Sequence, residues 1–388
     1  VCPAQVTVTL GPAPQVRLRH PGVTTCAAVA GAHRSLGGLN GPRRDDNGSV
    51  PHLRTEVTEI VTGLATLGHA DPEVALQHRP PQLLNVEDGA WDRVAGAWQE
   101  RRYGQEFHAA FANGVAFLRS PGGLRGRVPA RVEWKGAQRP PAYERIPADL
   151  RIDHVYLVSC KYLSNILHNA APAGLFDHGL DPAGRATGPV DWYEAVAPQE
   201  HRALLAAVRR AVGGESQLRD LPECPADLTG DQRAALRQAL RGGWPGDAGA
   251  AYAALGEAVS RGSADRWRAR LGRKAAREEM AWRLLRLQSA PYFVLGTADD
   301  AVLRVRVGTP WDWRQRFELV DLTVEPEAAG QPRVGWSLTV HDREDDIDRA
   351  ARGHVEIRWS HGRFARPPEA KVYLDTPHRD VPGYFPID

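Results

Sequence analysis

Cysteine is scarce: Cys2, Cys26, Cys160 and Cys224 are the four in a chain of 388 residues, with no Cys-x-x-Cys pair and no histidine at zinc-ligand spacing. That scatter excludes a disulfide framework and a structural zinc, and makes a reducing cytoplasm the default setting. No run of about 18 apolar residues is present, so no transmembrane helix and no membrane partner are expected. The charged segment and short apolar core of a secretory signal are also missing. Met280 is the single methionine, so the start is expected to be trimmed or to be a valine codon read as the initiator. An excess of one charge is lacking too. Forty-nine basic residues against 47 acidic ones give +2, so any basic surface for nucleic acid must be local.

What the chain does have is ordinary globular material, with 42% hydrophobic and 25% charged residues, enough for a sizeable core. Its 38 glycines and 30 prolines exceed the average and gather in loops and near the N-terminus. Arginine greatly outnumbers lysine, a bias that fits a GC-rich genome and says little about surface chemistry. The length exceeds the usual ~100–200 residues of one domain. The pattern divides into a disordered leader over 1–50, an α/β core over 51–187, a helical region over 188–288 and a β-rich region over 289–388.

Val57, Ile60, Val61 and Leu64 recur at helical spacing and predict a helix over 55–67, closed by Gly68. Trp91, Val94 and Trp98, then the large apolar groups of 103–118, predict two more. Glu106 lies inside the second of these; in isolation it reads as a solvent-face glutamate. Val132-Glu133-Trp134 is a strand signal. Two short apolar runs follow, separated by Asp153-His154, and read as a hairpin with Asp149 opening the first strand and Lys161 ending the second. Leu163, Ile166 and Leu167 suggest a helix next. Helices are predicted over 198–212, 229–240, 248–259 and 263–287, with Thr229 in a near capping box and Ser263 and Asp265 heading the last. Six strands with period-two alternation follow Tyr292, which implies an antiparallel sheet or sandwich.

Phosphodiester hydrolysis needs a divalent metal held by carboxylates, a means of placing water, and a cation near the developing charge. The order of a helix bearing Glu106, a strand near Val132, a strand with Pro147-Ala148-Asp149 and a strand ending in Ser159-Cys160-Lys161 resembles the core of the PD-(D/E)XK nuclease superfamily, the restriction-endonuclease-like enzymes. The resemblance covers roughly residues 100–180. It implies an α/β fold with a mixed sheet flanked by helices, here with a helical insertion and the C-terminal β-rich region. It further implies Mg²⁺ or Mn²⁺ as cofactor, DNA as partner with room for a homodimer, and a role in restriction, phage defence or repair. Carried over, Asp149 is the metal-binding acid, Lys161 the catalytic lysine and Glu106 the helix-borne acid. The position two before the lysine, normally acidic, is Ser159; Ser-Cys-Lys stands here in a minority of restriction enzymes, and Glu106 or Asp153 would supply the missing carboxylate.

Other chemistries compete. Cys160 could act as a nucleophile if His154 or His168 served as its base, but strand alternation turns it toward the core. The acidic run around His341 looks able to hold a metal, yet a charged loop between strands explains it. The stretch from Arg266 to Arg286 carries eight basic residues and suits either a phosphate backbone or a solvated face. Trp311, Trp313, Trp336, Trp359 and Tyr373, with Arg304, Arg306, Arg358 and Arg363, could present stacking and phosphate contacts, although strand tryptophans are usually core. The rival to an enzyme is a nuclease-fold protein that has lost catalysis and serves as a nucleic-acid-binding or assembly module; a purely structural protein is the third reading.

Overall fold

The computed structural model describes residues 53–136, 147–162, 165–180, 191–212, 218–298, 301–328 and 330–387. The leader expected over 1–50 lies outside them, as does Leu163. The described residues begin with α1 (Leu53–Thr66), α2 (Pro72–His78), β1 (Leu83–Leu84), α3 (Asp88–Gln99) and α4 (Gly104–Arg119). Four strands follow: β2 (Val132–Trp134), β3 (Leu150–Ile152), β4 (Tyr156–Tyr162) and β5 (Ile166–Ala170). The helical stretch is α5 (Pro172–Phe176), α6 (Trp192–Val196), α7 (Pro198–Val212), α8 (Gly230–Ala239), α9 (Ala248–Arg270) and α10 (Lys274–Leu284). The remainder is β6 (Tyr292–Ala298), β7 (Ala301–Val307), α11 (Pro310–Arg316), β8 (Phe317–Ala328), β9 (Pro332–Asp342), β10 (Ile347–Arg358), β11 (Glu369–Leu374) and β12 (Tyr384–Pro386).

These strands form a mixed seven-stranded sheet, ordered β1-β2-β3-β4-β6-β7-β12, and a five-stranded sheet, ordered β5-β11-β10-β9-β8. In the first, β2, β3 and β4 make an antiparallel meander, and β6 runs parallel to β4. The second is antiparallel throughout. The fold is therefore α/β, as expected, and β6, β7 and β12, from the expected C-terminal region, complete the first sheet.

Both faces of the mixed sheet are covered, which is why β4 and β6 read as nearly continuous apolar runs. On one face Val158, Phe293 and Leu295 pack against Val57, Ile60 and Leu64 of α1 and Phe107 and Phe117 of α4. On the other, Leu157, Tyr292 and Val294 join a larger core with Trp192, Trp267 and Trp313. Burying a side chain of this size contributes roughly 1.5–3 kcal/mol.

Three expectations about local structure change. Ile166 and Leu167 belong to β5, whose neighbour β11 supplies its backbone partners, and the helix starts only at Pro172. The break expected near residue 260 is absent: α9 runs unbroken for 23 residues, and Ser263, fully buried within it, accepts a hydrogen bond from Trp192 Nε1 at 2.9 Å. The single helix expected over 263–287 is interrupted after Arg270 and resumes at Lys274, and most of its basic side chains stay on the solvated surface, several of them paired with acids. Arg266 pairs with Asp177, Arg268 with Glu325 and Arg277 with Asp321. The Thr229–Gln232 capping box of α8 forms as expected.

Candidate active site

The site starts from the β3–β4 hairpin. Asp153 and His154 both take positive φ, 47° and 62°, conformations that Asp tolerates better than most residues. The Asp153 carboxylate accepts from the Ala130 and Arg131 amides at 2.9 and 3.1 Å and pairs with Arg127 at 2.6 Å. It thus fastens the turn, at the opposite end of the hairpin from Asp149, and its expected metal role finds no support in this position.

Asp149 sits where β3 begins. Its amide donates to the Val158 carbonyl at 2.8 Å, and its Oδ2 accepts from the Cys160 amide at 2.7 Å and the Ser159 hydroxyl at 3.3 Å. The carboxylate thereby caps an amide of β4 that reaches past the end of β3. Loss of surrounding water raises the Asp149 pKa, while the Cys160 amide, Lys161, Ser159 and Lys135 oppose the rise. Lys161, two residues along β4 from Ser159, is pulled down by burial and by Arg286, against the carboxylates of Asp149 and Glu59.

The second carboxylate of the site is Glu59, on α1. It is buried, accepts from Trp134 Nε1 at 2.7 Å, and has its pKa raised to about 8 by burial and then by the charge of Asp149. Glu59, Asp149 and Lys161 thus come together from α1, β3 and β4, each acting electrostatically on another. Glu106, the helix acid expected here, is buried on α4. It pairs with Arg54 at 2.9 Å, whose guanidinium lies over the Tyr103 and Tyr162 rings at 5.6 and 5.5 Å.

The sequence did carry a signal for Glu59. From Glu56 to Thr66 every residue of α1 is buried, and the TEVTEIVTGLAT run has no lysine or arginine to mark a wet face. A glutamate in such a helix must find a partner or lose its charge. Glu56, one turn earlier, found Arg93, with contacts at 2.9 and 2.6 Å; Glu59 faces Asp149.

Ser159 and Lys161 line a narrow pocket of ≈ 20 Å³ with Arg286, Tyr292, His378 and Tyr384. Arg286, the last residue of the basic stretch weighed for a phosphate backbone, holds φ at 56°, and its buried Nε has no hydrogen-bond partner among the described residues. His168 contacts the Arg283 carbonyl at 2.6 Å; burial and then Arg286 push its pKa down to about 3, so it stays neutral.

Cys160 points the other way and packs against the α1-side core. Burial and the nearby carboxylates push its thiol well up, which argues against a thiolate nucleophile. His154 is engaged with Arg131 at 2.9 Å. The acidic run near His341 is an ion-pair corner: Asp342, fully buried, is held by Arg316 and Arg349 at 2.9 and 2.7 Å.

Among the described residues no group of three or more His, Cys, Asp or Glu side chains is assembled to hold a metal; the site offers two carboxylates. No helix among the described residues is long and apolar enough to cross a membrane. No protein-family model, curated protein or solved structure matches this chain.

Proposed function

We propose that the chain is a divalent-metal-dependent nuclease of the restriction-endonuclease-like type, acting on DNA, with Glu59 in the place that the sequence suggested for Glu106. The observation that carries this reading is the convergence of Glu59, Asp149 and Lys161 from three different elements. Two carboxylates held together out of water repel one another, and Glu59 relieves the repulsion by keeping a proton. A cation would relieve it equally. Magnesium is commonly bound through one or two carboxylates, with water and substrate phosphate filling the rest of its shell, so this pair fits the group. Bound by Glu59 and Asp149, Mg²⁺ or Mn²⁺ would supply Lewis-acid charge to the scissile phosphate.

The chain's own residues do the rest. Lys161, whose pKa is lowered by burial and by Arg286, orients water or steadies the phosphate. Arg286 adds a second cation beside it. Ser159 holds Asp149 through its hydroxyl instead of supplying a third carboxylate. Cleavage of plasmid DNA with Mg²⁺ or Mn²⁺ tests the assignment. Lys161→Ala and Glu59→Gln should each lose about 100-fold or more in rate, whereas Glu106→Gln should retain cleavage. Unchanged cleavage by Lys161→Ala would sink it.

The Ser159–Asp149 hydrogen bond also favours a second reading, a nuclease-fold module that binds DNA without cutting it. In that case the wild-type chain neither cleaves nor binds Mn²⁺ through Asp149, yet retains salt-dependent DNA binding.

A further inference from the structure

A second pocket lies well apart in composition from the carboxylate site and shares no residue with it. Its walls come from the loop between α8 and α9, from α9 itself, and from the end of β10 with the loop that follows. It encloses ≈ 490 Å³, within the ~300–1,000 Å³ usual for small-molecule sites. Three guanidinium groups line it, those of Arg241, Arg358 and Arg363, beside the rings of Trp244, Tyr252 and Trp359, and among the described residues its lining contains no carboxylate.

The two sets of side chains are ordered as a unit. Trp244 and Tyr252 stack with centroids 4.7 Å apart, and Tyr252 lies nearly parallel to Trp359 at 6.4 Å. Arg363 sits over Trp244 at 4.4 Å and donates to the Leu240 carbonyl. Behind them Trp359 packs on Phe364 at 4.8 Å, and Phe364 on His201 at 5.8 Å. His201 is buried; among the described residues its ring nitrogens make no hydrogen bond, although Nδ1 lies 3.5 Å from the Glu194 carboxylate, and its ring adds one more flat surface to the stack. Such a backing fixes the pocket aromatics before any ligand arrives, which lowers the entropic cost of binding.

Of the three arginines, Arg358 is partly neutralised by Glu356 at 3.0 Å. Arg363 is committed to Trp244 and Leu240 but keeps its charge. Arg241 is exposed at the rim. The pocket therefore carries a net positive charge next to a wall of flat, amphipathic rings. A ligand matching both features has a planar ring and an anionic group; guanidinium forks suit phosphate, and aromatic faces suit any base.

We infer that this pocket binds a nucleotide, with the base against Trp244, Tyr252 and Trp359 and the phosphate on Arg241, Arg358 and Arg363. The inference does not rest on the nuclease reading, and binding should survive Lys161→Ala, in which the proposed chemistry is lost.

Titration of the full chain with each deoxynucleoside monophosphate, the matching nucleosides and inorganic phosphate, read by tryptophan fluorescence and calorimetry, tests it. At least one monophosphate should saturate, with nucleoside and phosphate alone about tenfold weaker or worse. Arg241→Ala, at an exposed position, should leave thermal unfolding unchanged and weaken the monophosphate about tenfold, and Trp244→Leu should weaken it likewise. Single-stranded and duplex oligonucleotides separate the sources. A single strand whose affinity falls in parallel in Arg241→Ala marks a nucleotide presented within a strand, and a strand indifferent to that change marks a free nucleotide. No saturation by any monophosphate or strand at millimolar concentration overturns the proposal. So does saturation that both variants leave unaltered.

Discussion

Glu59 holds its proton more tightly in the folded chain than in the unfolded one, with a pKa of about 8 against an ordinary 4.5. The folded state then binds more protons across that window, and stability falls as pH rises through it. His168 and His201 act in the opposite sense below their ordinary value of 6.5, since burial lowers them to about 3 and about 4. Their contribution is complete above 6.5, so between there and pH 8 the Glu59 slope stands alone among these groups. Urea denaturation in the presence of chelator should find the chain about 1–2 kcal/mol less stable at pH 8 than at pH 6.5. Glu59→Gln should flatten that difference while still accepting from Trp134, and Mn²⁺ should abolish it in the wild type. An equal slope in the Gln variant would assign the proton elsewhere. This residue also marks the limit of sequence reading. Asp149 and Lys161 were legible because a strand-end acid and a strand-end lysine bracket one hairpin. Glu59 was passed over for Glu106 because both sit in apolar helices, and only the packing decides which faces Asp149 and which faces Arg54.

At the level of elements, long periodic segments were readable and short or interrupted ones were not. The helices expected over 55–67, 198–212 and 229–240 and the six late strands appear where the periodicity places them, whereas the one expected over 263–287 is interrupted between Arg270 and Lys274. The run at Ile166 failed because five residues cannot separate a period of 3.6 from one of 2. The expected break near Gly262 failed for a different reason. A Cβ there would approach the Val196 Cβ to 3.0 Å, so the glycine admits α6 against an unbroken α9 and does not end a helix. Gly296 has a comparable role with greater consequence. It pairs in register with Lys161 across the parallel β4–β6 ladder, and a Cβ at that position would lie 1.8 Å from the Lys161 carbonyl oxygen. Backbone cannot yield as a flexible side chain would, so the two strands must part. Gly296→Ala should cost about 3 kcal/mol or more in chemical denaturation and displace Lys161 from Asp149. Retention of both full stability and Mn²⁺ affinity in that variant would show that the ladder yields cheaply.

For the whole molecule, the described residues fall within one compact unit, and the mixed sheet shows how widely separated parts of the sequence contribute to it. The region expected as the α/β core, 51–187, supplies β1 to β4 of this sheet, but β4 is central only because β6 lies along its other edge. The chain makes this join after more than a hundred intervening residues, and no local pattern in either strand announces the partner. A fragment ending at residue 187 would expose the β6 side of β4 from Val158 to Tyr162 and remove Phe293 and Leu295 from the core beneath α1 and α4. It would also leave β5 without β11, its neighbour in the second sheet. Two large apolar side chains and a five-residue ladder together are comparable to the margin by which domains of that size are stable. The fragment 53–187 should therefore lack a cooperative unfolding transition by circular dichroism, whereas 53–388 should show one. A cooperative transition in the shorter chain would mean that the site is built by its first half alone, with β6 as an accessory.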